Sequence, residues 1–172
     1  MNTTATLQLH AAYNQWVNAR LLACCARLSD ANYRRNLGAF FGSVHGTLNH
    51  LLVTDHLWLA RIQGTPIPPD ALDAQPHPNL HAVQAESTRV DTTIIEQVQR
   101  TQDADLEQEL HYTSRLAGSA MALPLWAAWT HLFNHQTHHR GQLTALLNQL
   151  DIDYGNIDLV WMPGVAEIKT PA

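Results

Sequence analysis

Eleven histidines stand in a chain of 172 residues of which only 15% are charged, and four of them, His131, His135, His138 and His139, fall close together. A neutral imidazole is a good ligand for divalent metals, so the placement of these rings decides what they can do. Counted at about 100° per residue from Leu125, where an apolar stripe begins, His139 lies about 40° from the stripe and His135 about 80°. His131 and His138 lie about 120° and 140° away, towards the outside. His135 and His139 are therefore the inward pair, and their spacing of four lets two rings on adjacent turns share one ion. A lone pair of this kind also occurs as ordinary core-edge histidines bonded to neighbours. A third imidazole from a facing helix would change that, because three ligands plus an open position make a catalytic divalent site. His45, His50 and His56 on an earlier helix are the candidates, and each lies about 100° to 120° from that helix's stripe, so periodicity does not choose among them.

Long helices must position these rings. From Thr4 to Leu28 a stripe of Leu7, His10, Asn14, Val17, Leu21, Cys24 and Leu28 predicts the first. From about Ser43 to Ile62, with Gly64 as its stop, Val44, Leu48, Leu51, Asp55, Trp58 and Ile62 predict the second. Residues 64–78 hold five of the eight prolines and predict an extended crossover. Asn79 is a suitable N-cap for a third helix reaching about Gln102. Partial alternation over residues 106–113 suggests a short ribbon or irregular excursion. A last helix is expected to open at Pro124 and to run through Leu150. The expected fold is all-α, a four-helix bundle with a long crossover linker and a short β-ribbon before the last helix, in a single domain over 1–172. The tail from Asp151 reads as irregular, apart from a turn of helix at Asp158 to Trp161.

Composition narrows the function classes. The net charge of −5 and scattered basic residues argue against a nucleic-acid partner. No apolar run approaches the roughly 18 residues of a membrane span, and no signal peptide is visible, so a cytoplasmic location is expected. The two cysteines, Cys24 and Cys25, are neighbours whose side chains diverge by about 100° on a helix, and are read as reduced and packed. No glycine-rich phosphate loop, nucleophile elbow or CxxC motif occurs.

Three segments carry a family resemblance: Tyr13-Asn14-Gln15-Trp16-Val17-Asn18-Ala19-Arg20-Leu21-Leu22; His45-Gly46-Thr47-Leu48-Asn49-His50-Leu51-Leu52, followed by Asp55 and Trp58; and His131 to Gln142, which contains His138-His139-Arg140-Gly141-Gln142. In order and spacing they resemble the DinB family of bacterial four-helix metal-binding proteins, over nearly the whole chain. The resemblance implies that one histidine of the second helix and two of the last, ending just before an Arg-Gly-Gln triplet, bind a divalent metal. Carried over by position, these are His50, His135 and His139. The last two agree with the helical wheel, whereas His50 rests on the resemblance. It also implies a homodimer, and for some members the use of low-molecular-weight thiols in transfer or isomerisation.

Other polar residues on the inward stripes need partners. Asp55 is expected either to orient a ligand or bound water, or to form a salt bridge with Arg140 or Arg20. Asn14 and Gln136 are candidates to hold ligand rings through their free N–H, the alternative being satisfaction of buried backbone. Arg140 could meet an anionic substrate, though packing beside a carboxylate suits it better. His10 reads as a core histidine and His138 as solvated. Trp16, Trp58, Trp126, Trp129 and Trp161 read as core or dimer-interface mass. Three imidazoles suit zinc or nickel ahead of iron or manganese. Such an ion lowers the pKa of bound water or accepts a thiolate. Between the two the resemblance favours the thiol, so the activity it implies is thiol transferase or isomerase, set against a metal-dependent hydrolase and a non-catalytic, stress-related binding protein with a structural metal.

Overall fold

The computed structural model describes residues 3–166; residues 167–172 of the tail read above as irregular lie outside them. The chain is mostly helical, in the order α1 (Thr3–Cys25), α2 (Asp30–Arg34), α3 (Val44–Gln63), α4 (Leu80–Arg100), β1 (Glu109–Thr113), β2 (Ala120–Pro124) and α5 (Leu125–Gln149), followed by a 3-10 turn at Leu159–Trp161. None of the described helices is long and apolar enough to cross a membrane.

Local chemistry sets the ends of these elements. α1 stops three residues short of the expected Leu28, because Arg27 and Leu28 donate to the carbonyls of Cys24 and Cys25 and tighten the chain into a turn. Ser29 then caps the five-residue α2, which is too short for periodicity to reveal, by accepting from the amide of Asn32. Ser43 caps α3 by accepting from Gly46 at 3.1 Å. Gly46 has to be glycine, since a Cβ there would lie 2.1 Å from the carbonyl oxygen of Phe41. At the other end Gly64 closes α3 in the left-handed region, with φ 66°. Asn79 caps α4 by accepting from Ala82 at 2.9 Å.

The ribbon is antiparallel, with Tyr112 opposite Met121. Its return strand, β2, takes Pro124 out of the last helix, contrary to expectation. Pro124 is extended at φ −66° and ψ 149°, and α5 begins at Leu125. In place of a side-chain cap, the amides of Leu125 and Trp126 donate to the carbonyls of Gln108 and Leu106, both at 2.9 Å. The ribbon's base thereby fixes where α5 starts.

α1 packs on α4 and α5, and α3 packs on the same two helices. Contacts reveal direction: Asn14 meets Asp91 while Gln84 reaches Leu22, so α1 and α4 are antiparallel. His50 meets His139 while Trp58 meets His131, so α3 and α5 are antiparallel as well. Along α3 and α4 the numbering rises together, with Asn49 beside His77, just ahead of α4, and His56 beside Glu86. Parallel consecutive helices need a connection as long as the helices themselves, which is the work of the proline-rich crossover. Trp129, Leu132, Leu143, Val17, Leu21 and Ile94 form the centre of the core, each contributing about 1.5–3 kcal/mol by leaving water.

Candidate metal centre

α3 is buried on nearly every side, with His56 the one residue between Val44 and Ala60 that is not fully enclosed. This is why periodicity does not sort its histidines. The three point to different places. His45 meets Tyr33 edge-on and Asn49, His56 meets Glu86, and His50 faces α5. There the Nε2 atom of His50 lies 3.3 Å from that of His135 and 3.1 Å from that of His139, and the last two are 3.1 Å apart.

The other nitrogen of each ring is already held. His50 Nδ1 donates to the carbonyl of Leu72 in the crossover at 2.7 Å. His139 Nδ1 donates to Gln142 Oε1 at 2.8 Å. Thr54 Oγ1 spends its hydroxyl proton on carbonyls of its own helix, leaving a lone pair 3.4 Å from His135 Nδ1. These bonds select the tautomer that leaves all three Nε2 lone pairs converging. Phe41 stacks on the His50 ring with centroids 3.8 Å apart, which keeps that ring in place.

Three acceptors facing one another repel unless a cation lies among them. A tetrahedral ion about 2.0–2.1 Å from each nitrogen requires edges of about 3.3–3.4 Å, close to those observed. The donor set therefore fits a divalent ion, and this group of three histidines could hold one. Burial, followed by the neighbouring imidazoles, pushes His135 down to about 3. Burial also lowers His139 to about 4, against the bond to Gln142, and lowers His50 against the bond to Leu72. All three rings are neutral at pH 7, as ligation demands.

The triad forms the floor of a cavity of about 800 Å³ walled by Phe40, Trp58, Tyr112, Leu116 and Met121. Arg61 lies over the rings of Trp58 and Tyr112, at 4.5 and 4.2 Å from their centroids. No described carboxylate is within ion-pair distance of it. His131 packs on Trp58 in the same wall, and His138 is exposed and 3.2 Å from Gln142 Nε2.

Asp55, Gln136, Arg140 and Asn14 lie apart from the ligand rings, and Arg140 takes the structural role expected of it. None bonds to a ligand ring; they bond to one another. Gln136 Nε2 donates to Asp55 Oδ2, and Gln136 Oε1 accepts from Arg140 at 3.3 Å. Arg140 also donates to Asn14 Oδ1, while Asn14 Nδ2 donates to Asp91 at 2.9 Å. Asn18 joins at both Arg140 and Asp91. Neither Arg140 nor Arg20 forms the direct salt bridge considered for Asp55, because Gln136 stands between Asp55 and Arg140. One guanidinium serves two buried acids, and burial pushes Asp55 up to about 8 and Asp91 to about 6. Burial thus favours the protonated form of Asp55 more strongly than that of Asp91, the acid whose charge Arg140 and the two asparagines support.

Sequence reasoning passed over Thr54, Gln142, Phe41, Asn18 and Asp91. Gln142 lies three residues after His139, a spacing that was there to be used, whereas Thr54 meets His135 across two helices and no local spacing signals it. His10 stacks on Phe133 at 5.5 Å, away from the triad. The cysteines are free, and burial, then Cys24, pushes the Cys25 thiol up to about 12, so it is inert.

The model of the DinB family matches residues 1–170. Protein DinB of Bacillus subtilis (strain 168) is 24% identical over 142 residues, covering 80% of this chain and 81% of that protein. The crystal structure of a DinB-like protein from Bacillus cereus ATCC 10987 superposes with a TM-score of 0.59 at 19% identity, over 84% of this chain and 90% of that one. At that identity the likeness is one of fold.

Proposed function

Because the chain belongs to the DinB family, we propose that His50, His135 and His139 hold a divalent metal ion and that the protein is a metal-dependent enzyme acting on a low-molecular-weight thiol, by transfer or isomerisation. The observation that carries this reading is the convergence of three Nε2 atoms at 3.1–3.3 Å on the floor of a cavity. Structural zinc is normally closed by four protein ligands. Three ligands opening on a cavity support catalysis instead.

An ion bound by three neutral imidazoles supplies an open coordination position and Lewis acidity, which favours the deprotonated form of a thiol or of water. The chain supplies the rest. Leu72, Thr54 and Gln142 hold the rings at their Nδ1 atoms, so no reorientation is needed when a ligand arrives. The aromatic and apolar wall offers a surface for the apolar part of a substrate beside the ion. Arg61 offers a cation to an anionic part of the cosubstrate.

Zinc or nickel is the proposed ion, ahead of iron or manganese. The proposed fold is a four-helix bundle of α1, α3, α4 and α5 forming one domain, which the parallel and antiparallel pairings above support. A cytoplasmic homodimer completes the reading: the exposed Trp126 and Trp161, 42% and 51% accessible, support a further interface, and sedimentation checks it.

Elemental analysis of untagged protein tests the site. About one ion per chain, lost in His50→Ala and His135→Ala and kept in His138→Ala, is expected from these ligands. Turnover of an electrophile that requires both metal and added thiol is the expected activity. Metal-dependent turnover without thiol would replace the transferase reading with a hydrolase, and metal content insensitive to His135→Ala would overturn the site.

A further inference from the structure

A second group of ligand-type side chains lies outside the triad's cavity. His56 on α3, His77 in the crossover and Glu86 on α4 bring two imidazole nitrogens and a carboxylate oxygen within 4.8 Å of one another. His56 Nε2 is 2.6 Å from Glu86 Oε1, and both side chains are largely covered, at 25% and 19% exposure.

The placement of His77 is what turns proximity into a site. It stands between Pro76 and Pro78, whose fixed φ stiffens the segment. Asn49, a fully buried residue of α3, grips its peptide from both sides: Asn49 Oδ1 accepts from His77 N at 2.9 Å, and Asn49 Nδ2 donates to His77 O at 3.3 Å. Arg34 donates to the next carbonyl, that of Pro78. A residue in an otherwise irregular crossover is thus held with its ring beside His56 and Glu86. Two histidines and a glutamate are a complete set of protein ligands for zinc, with the remaining position left to water.

We propose that His56, His77 and Glu86 form a second site for a divalent ion of the zinc class, which clamps the crossover to α3 and α4. Small side-chain rotations bring ligand atoms now within 4.8 Å to the roughly 3.3 Å edges that such an ion needs. One obstacle is built in. Arg89 donates to both oxygens of Glu86, to Oε2 at 3.0 Å and to Oε1 at 2.5 Å, and competes for the carboxylate. The Arg89 side chain is 61% exposed, so its guanidinium can turn to solvent when an ion takes its place at Glu86. The same crossover carries Leu72, whose carbonyl holds His50, so the clamp braces the segment that orients a ligand of the triad.

The test is zinc titration of metal-free, untagged, full-length protein against a chromophoric chelator, with helicity followed by circular dichroism. Wild type is expected to bind two equivalents. His77→Ala and Glu86→Gln, both at partly exposed positions, are each expected to keep their helicity and lose one equivalent, and Arg89→Gln to bind that equivalent at least about threefold more tightly. In a His135→Ala background one equivalent is expected to remain, and adding His77→Ala to remove it. Zinc uptake unchanged by His77→Ala and Glu86→Gln in folded protein overturns the proposal. The two sites fail separately: a single equivalent lost with His77→Ala but not with His135→Ala would sink the triad and keep this site, and the reverse would sink this site and keep the triad.

Discussion

Two clusters of buried polar side chains share α3 and α5, and their members are neighbours in sequence. His135 precedes Gln136, His139 precedes Arg140, and His50 lies five residues before Asp55. One cluster turns towards the cavity and sets three Nε2 atoms facing one another. The other turns towards α1 and α4 and closes on itself, with the amides of Gln136, Asn14 and Asn18 carrying hydrogen bonds between Arg140 and the two acids. A buried polar group is costly unless paired. The closed cluster meets that demand internally and ties four helices together. The open one meets it with something the chain does not contain. Polar residues on an inward stripe therefore mean different things according to whether their partners are other side chains or an empty point in space.

The sharpest way to break this comparison is to remove a partner from the closed cluster. Arg140→Met leaves Asn14, Asn18 and Gln136 without their common donor and Asp91 without its countercharge, and urea unfolding is expected to show a loss of about 3–5 kcal/mol. A loss below about 1 kcal/mol would mean that the network is not structural. Next in size is His135→Leu. Its affinity for zinc should fall by more than about 100-fold, beyond the 10–100-fold carried by partners of ligands, while the stability of the metal-free protein is kept or raised because a buried acceptor facing two others is gone. Strong destabilisation of the metal-free variant would show that the triad, too, is structural. Smaller again is Gln142→Ala, which frees His139 Nδ1 and should weaken zinc binding by about 10–100-fold with the ion count unchanged.

How far the sequence could anticipate this division depends on the helix. On α5 the apolar stripe is narrow enough that angular position separates His135 and His139 from His131 and His138, and the structure brings the inward two together. α3 gives no such leverage, because burial almost all the way round removes the contrast that periodicity measures. There the choice of His50 came from resemblance. Asp55, Asn14, Gln136 and Arg140 were legible as inward polar residues in need of partners, but which partners is a matter of packing between helices distant in sequence. Asp91 escaped notice for that reason: it lies 77 residues from Asn14, and nothing local distinguishes it from a solvated acid. The Asn79 cap and the Gly64 stop could be read because each acts within one turn of its own helix. β2 could not, since its apolar residues continue without a break into α5.

Within any single step of pH the change is smaller still, and it separates the two clusters by sign. Asp55 has its folded pKa raised to about 8 from an ordinary 3.8, so the folded state holds a proton that the unfolded chain releases. Its contribution to stability is fully present below the ordinary value and is lost as pH rises towards about 8. The triad runs the other way. His135 is lowered to about 3 from 6.5, so its contribution is present above 6.5 and is lost as pH falls towards the folded value. Metal-free protein should accordingly show both slopes: a decline from pH 6 to 8 that Asp55→Asn removes, at most about 1.4 kcal/mol per pH unit, and a decline below pH 6.5 that His135→Leu reduces and Asp55→Asn does not. Urea midpoints at half-unit pH intervals for the three proteins measure this. If Asp55→Asn leaves the alkaline slope unchanged, Asp55 is ionised at neutral pH, and the closed cluster carries a net negative charge that the hydrogen bonds through Gln136 and Asn14 do not balance.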